Sequence, residues 1–75
     1  MGKKIIKYPL SKREQRVWNI IFDFISDKGY SPTRQEIADM ADFKSRNEAT
    51  ECIENMVKKN WVKLIANKNR NILIK

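Results

Sequence analysis

Histidine is missing from this sequence, and cysteine occurs once, at Cys52. The first absence removes the commonest general base and the commonest metal ligand at neutral pH. The second excludes an internal disulfide, so packing alone must hold the fold. The chain has no paired catalytic carboxylates, no Cys/His cluster and no glycine-rich phosphate loop, which argues against an enzyme, a metal site or a bound cofactor. No apolar run approaches the roughly 20 residues of a transmembrane helix. The opening MGKKIIKYP offers only Ile5-Ile6 where a signal peptide needs about 7–15 apolar residues. Gly2 is not followed by the Ser or Thr that myristoylation prefers. The expectation is a cytoplasmic chain with no membrane partner, and a Cys52 that stays reduced.

What the sequence does have is positive charge. Sixteen Lys and Arg stand against nine Asp and Glu, a net of +7 on 75 residues. A chain this short makes one small domain with a thin core and no room for a deep cleft. That much charge on so little surface favours a polyanion, nucleic acid ahead of membrane. Residues 1–10 carry Lys3, Lys4 and Lys7 with no acid and close on Pro9. They read as a basic arm able to follow a DNA backbone or enter a groove, or as a frayed terminus with a short edge strand. Residues 11–75 are left as the folded domain.

Three Ser/Thr-x-x-Glu capping boxes stand before apolar runs: Ser11 with Glu14, Thr33 with Glu36, and Ser45 with Glu48. In such a box the hydroxyl accepts from the backbone N–H three residues on, and the Glu reaches back. They predict helices over about 12–28, 34–41 and 46–59. In the first, Val17, Trp18, Ile21, Phe24 and Ile25 share one face, and Gly29 supplies a left-handed cap. In the second, Ile37, Ala38, Met40 and Ala41 form the apolar side. The link Asp42-Phe43-Lys44, with Phe43 buried, is short enough for a helix-turn-helix. The third carries Ala49, Cys52, Ile53, Met56 and Val57 at helical spacing, which makes Cys52 a small buried hydrophobe rather than a reactive thiol. After Asn60 the period changes. Residues 61–65 and 71–74 read as strands around the polar turn 67–70. The fold class is mainly α with a small β-hairpin, in the order of a winged helix-turn-helix. Val17, Trp18, Ile21, Ile25, Ile37, Ile53, Met56, Val57 and Trp61 are assigned to the core.

The stretch from Leu10 to Ile74 resembles the N-terminal DNA-binding domain of the LexA repressor family. Ser11, Arg13 and Gln15 fit the family's Thr/Ser-x-Arg-x-Gln start. Pro32-Thr33-Arg34-Gln35-Glu36-Ile37-Ala38 fits its Pro-Thr-Arg-x-Glu-Ile-Ala string, and Phe43-Lys44-Ser45-Arg46-Asn47 fits the start of its third helix. Several positions depart. Asp42 stands where the family has Gly, and Arg46 where it has Pro. Glu48 replaces a small residue and Thr50 an acid. The resemblance therefore implies the fold and a double-stranded DNA partner more firmly than it implies an operator sequence. Family repressors continue into a self-cleaving peptidase domain, while this sequence stops at Lys75. The expectation is an excised domain or a stand-alone regulator of the kind phages and mobile elements encode.

In a helix-turn-helix the N-terminal part of the second motif helix enters the major groove. Ser45, Arg46, Asn47, Thr50 and Glu51 are the candidate base readers. Asn pairs with adenine, Glu accepts from cytosine, Thr touches thymine, and Arg reads guanine or holds phosphate. Arg13, Arg34, Lys44, Lys58 and Lys59 lie near helix ends, at positions that by the resemblance approach the backbone, and Lys68 and Arg70 on the wing 67–70 are expected to reach an adjacent phosphate or the minor groove. About six such contacts give a log–log salt slope near −5. Lys3, Lys4 and Lys7 are candidate arm contacts. Phe22 and Tyr30, hard to place in the core, are candidates for self-association, as in a homodimer on a palindromic site. The sequence thus reads as a sequence-specific DNA-binding regulator, a repressor by resemblance and nucleoid-associated. The alternative is a protein-binding winged-helix adaptor, suggested by the acids of the third helix.

Overall fold

The computed structural model describes residues 6–75. It contains α1 (Lys12–Lys28), α2 (Arg34–Ala41), α3 (Arg46–Lys58), β1 (Val62–Leu64) and β2 (Ile72–Ile74). The two strands pair antiparallel with Val62 opposite Ile74, Lys63 opposite Leu73 and Leu64 opposite Ile72. This is the three-helix order followed by a wing that the sequence predicts.

The first two capping boxes close as expected. The Ser11 hydroxyl accepts from the Glu14 N–H at 3.2 Å, and Glu14 Oε1 accepts from the Ser11 N–H at 3.1 Å. Thr33 and Glu36 repeat the pattern at 3.1 and 2.9 Å. The third box does not form. Ser45 makes no side-chain cap bond, because Glu48 reaches past it to accept from the Lys44 N–H at 2.9 Å. α3 also ends one residue early, with Lys59 as its cap. The strands are shorter than 61–65 and 71–74, because the Trp61 N–H turns back to the Met56 carbonyl at 2.9 Å. Gly29 (φ 83) ends α1 in the left-handed region and donates to the Ile25 carbonyl. Asp42 (φ 62) does the same for α2, donating to the Ala38 carbonyl, so a non-glycine residue takes the left-handed cap of the turn between α2 and α3.

The core lies where the three helices meet the inner side of the wing. Val17, Ile21, Ile37, Ala49, Ile53, Met56 and Val62 are fully buried there, with Ile72 at 1% exposure. Each such Val, Leu or Ile side chain stabilises the fold by roughly 1.5–3 kcal/mol. Trp18, Ile25, Val57 and Trp61, assigned to the core from spacing, sit at its edge, partly buried. Two expectations fail. Met40 is 45% exposed, because it lies on the outer side of the short α2, next to Ile20 and Phe24. Phe43 is only half-buried, with the Arg13 guanidinium 4.9 Å from its ring centre. Cys52 is covered as predicted, and burial pushes its thiol pKa up.

Residues 6–8 are tied to the junction of α3 and β1. Tyr8 donates its N–H to the Lys59 carbonyl at 3.1 Å. Its own carbonyl accepts from Trp61 Nε1 at 2.6 Å. The Asn60 side chain donates to the Ile6 carbonyl at 2.8 Å. Of the arm, Lys3 and Lys4 lie outside the described residues.

Candidate nucleic-acid interface

The start of α3 is open to solvent. Ser45, Arg46, Asn47 and Glu51 are exposed there, with Thr50 half-exposed beside them. The 3.6-residue period explains this: Ala49, Cys52, Ile53 and Met56 take the buried stripe, which leaves these positions outward. The Thr50 hydroxyl donates to the Arg46 carbonyl at 3.3 Å, and Asn47 Nδ2 lies 3.4 Å from Glu51 Oε2. Both contacts are long, so they restrain the polar ends only weakly.

Beside this row is a cleft of about 550 Å³ between the start of α2, the start of α3 and the wing. Arg34, Arg46 and Lys68 supply its charge, and no carboxylate lines it. Thr50, one of the candidate readers, is on its wall. Arg34 also donates to the Asn71 side chain. Partial burial lowers the Arg34 pKa, while the charge of Glu54 raises it, and a guanidinium stays charged throughout this range. Thr33, Gln35, Asn69 and Asn71 complete the wall. Gln35, Asn69 and Asn71 are not among the candidates the sequence offers, although an Asn-rich turn between cations is itself a polar lining.

The remaining candidate cations have varied surroundings. Lys44, Lys58 and Lys68 are exposed, and no ion pair is found for them among the described residues. Arg13 pairs with Glu48 at 3.0 Å. Lys59 pairs at 2.6 Å with Glu14, which is buried and also accepts from Asn55 at 3.2 Å. Burial pushes the Glu14 pKa up, but the Lys59 bond and charge, the Ser11 N–H and the Asn55 amide outweigh it, and the net shift is downward. Arg70 folds back from the wing onto Glu36, Nη1 to Oε1 at 2.8 Å and Nη2 to Oε2 at 3.0 Å. That pair, with the Thr33 N–H, holds the Glu36 carboxyl down to about 2. Lys7 donates to the Lys75 carbonyl at 3.1 Å and covers the Trp61 ring, at the opposite end of α3 from the cleft.

The two candidate association residues sit apart. Phe22 stacks on Trp18 with ring centres 5.2 Å apart and remains 46% exposed. Tyr30 packs edge-on against Phe24 and carries the Arg70 guanidinium 4.7 Å above its ring. Among the described residues no group of acids and thiol is arranged to hold a metal ion. No helix there is long and apolar enough to cross a membrane.

With this geometry in hand, the likeness to known proteins is direct. The profile of the LexA DNA binding domain matches residues 7–71. The chain belongs to the LexA DNA-binding domain family. Among its relatives, the LexA repressor of Colwellia psychrerythraea is 41% identical over 64 residues, which covers 85% of this chain and 30% of that protein. The LexA repressor of Teredinibacter turnerae is 40% identical over 63 residues, 84% of this chain and 32% of that protein. That of Alcanivorax borkumensis is 36% identical over 63 residues, 84% and 31% respectively. The chain therefore spans about a third of the length of the curated relatives it matches. The matched part is the LexA DNA binding domain.

Proposed function

We propose that this LexA-type domain binds double-stranded DNA sequence-specifically and represses transcription by occupying a promoter. The start of α3 reads the major groove and the wing holds the neighbouring backbone. The observation that carries this reading is the cleft beside α3, with Arg34, Arg46 and Lys68 on its walls and no carboxylate. A phosphate strand fits between helix and wing, and such contacts set register without reading sequence. Asn47, Thr50 and Glu51 then face bases, each worth roughly 1–3 kcal/mol of discrimination. Ser45 and Arg46 flank them, Arg46 also being close enough to share the cleft's phosphate.

Arg34, Lys44, Arg46, Lys58 and Lys68 serve as backbone contacts, whereas Lys59 and Arg70 are held by Glu14 and Glu36. About five phosphate contacts give a log–log salt slope of about −4 to −5. Two copies on a palindromic site gain avidity that a single domain lacks.

Selection of sites from a random duplex library tests this. The outcome foreseen is a palindromic consensus whose preference relaxes at one position of each half-site in Glu51→Ala. Absence of enrichment, with a flat salt response, overturns the reading and leaves a protein-binding winged helix in its place.

A further inference from the structure

The wing has three-residue strands joined by a polar turn. A two-stranded hairpin is marginal by itself in water, so its orientation must be imposed from outside. Three consecutive wing residues supply that restraint. Arg70 grips Glu36 with both terminal nitrogens, and its Nη1 also donates to the Ser31 carbonyl at 3.0 Å. Asn71 accepts from Arg34. Ile72 donates its N–H to the Ser31 hydroxyl at 3.2 Å. The Arg70 guanidinium also lies over the Tyr30 ring, 4.7 Å from its centre. Lys68, two residues earlier, is the wing cation that lines the cleft, beside Asn69 and Asn71.

We propose that Arg70 and Glu36 are a positioning pair, which locks the wing to the start of α2 and so sets the width of the cleft for the DNA backbone. This rests on the DNA-binding reading above. It assigns Arg70 a role through the wing rather than as one more phosphate contact, and it gives the exposed Tyr30 the task of a platform for that guanidinium. Both side chains are somewhat under 40% exposed, so the pair gains little from charge alone. Its value lies in the planar two-point geometry, which arginine offers and lysine does not.

Glu36→Gln separates the two roles by the sign of its effect. Gln keeps the capping box, so α2 keeps its start. The substitution removes a negative charge beside the cleft, and electrostatics alone would tighten DNA binding. A wing that is released spends less time in the binding-competent position, which weakens binding by that fraction. Binding is to be followed by fluorescence anisotropy, with a labelled random-sequence duplex pool and with the duplex selected from it. We expect Glu36→Gln and Arg70→Lys each to bind the selected duplex about threefold to tenfold more weakly. The salt slope stays unchanged, because no backbone cation is lost. The double variant is no weaker than the worse single one, since both break one contact. Hydrogen exchange at the Ile72 amide quickens in both, while thermal unfolding stays cooperative. The proposal is overturned if Glu36→Gln binds as tightly as the parent or tighter. It is equally overturned if Arg70→Lys matches the parent while Arg70→Gln lowers the salt slope by about one, for Arg70 is then a plain phosphate contact. If the parent binds neither duplex, the DNA-binding reading has failed and this proposal with it.

Discussion

At the start of α1, Ser11 and Glu14 close their capping box, and Glu14 then takes Lys59 and Asn55 from the far end of α3. At the start of α3, Ser45 and Glu48 have the same identities and spacing, yet Glu48 leaves its box for Arg13 and the Lys44 N–H. The surroundings differ in kind. Glu14 is 7% exposed and faces a packed junction. Ser45 faces open solvent beside the cationic cleft. A closed box spends its hydroxyl on stability. The open one keeps a hydroxyl and the first N–H groups of a helix available to a ligand.

Four measurements break or sharpen this contrast. The largest effect belongs to Glu14→Ala, which strands the Lys59 ammonium and the Ser11 N–H. We expect a loss of about 2–3 kcal/mol in denaturant unfolding, below the figure for a fully buried pair because Lys59 stays 30% exposed. Acid titration comes next. Glu14 and Glu36 both have native pKa values below the ordinary 4.5, Glu36 at about 2. Their contribution is therefore complete above about pH 4.5 and is lost as the pH falls toward 2. Stability should be level across neutral pH and drop along that acid limb, less steeply in Glu14→Ala. A limb unchanged by that substitution would show that other groups carry it.

Thr33→Ala, which removes a closed cap, should cost about 1 kcal/mol. Ser45→Ala, at the open one, should stay within about 0.5 kcal/mol yet weaken DNA binding. Equal losses of stability would mean that Ser45 caps α3 after all. The smallest change is Glu48→Ala. The Arg13–Glu48 pair is exposed, so stability should move by no more than about 0.5 kcal/mol. DNA affinity should rise, since an acid leaves the interface and Arg13 is freed.

The helices were legible because their determinants are local. Ser11, Thr33, Gly29 and the spacing of Val17, Ile21, Ile37 and Ile53 act within a few residues, and the limits of α1 and α2 follow from them. Met40 escaped because periodicity assigns a face but does not say whether a neighbour covers it: Ile37, Ala38 and Ala41 of the same helix are covered, while Met40 stays 45% exposed beside Ile20 and Phe24. The cleft was half legible. Arg34 is legible from the Pro-Thr-Arg string, Arg46 from its outward place on the third helix and Lys68 from its place in the wing, but Gln35, Asn69 and Asn71 carry no charge to draw notice. The partners of Glu14, Glu36 and Glu48 lie 34 to 45 residues away. No local pattern encodes such pairings, and each diverts a cation that composition alone would have sent to DNA.

Cys52 is the only thiol in the chain, and it lies at 3% exposure under the middle of α3. An alkylating reagent reaches it only when that helix lifts from α1 and α2. The rate at which a native sample is modified is thus a clock for the opening of α3, built in without any label. Bound DNA that clamps the helix would slow that clock.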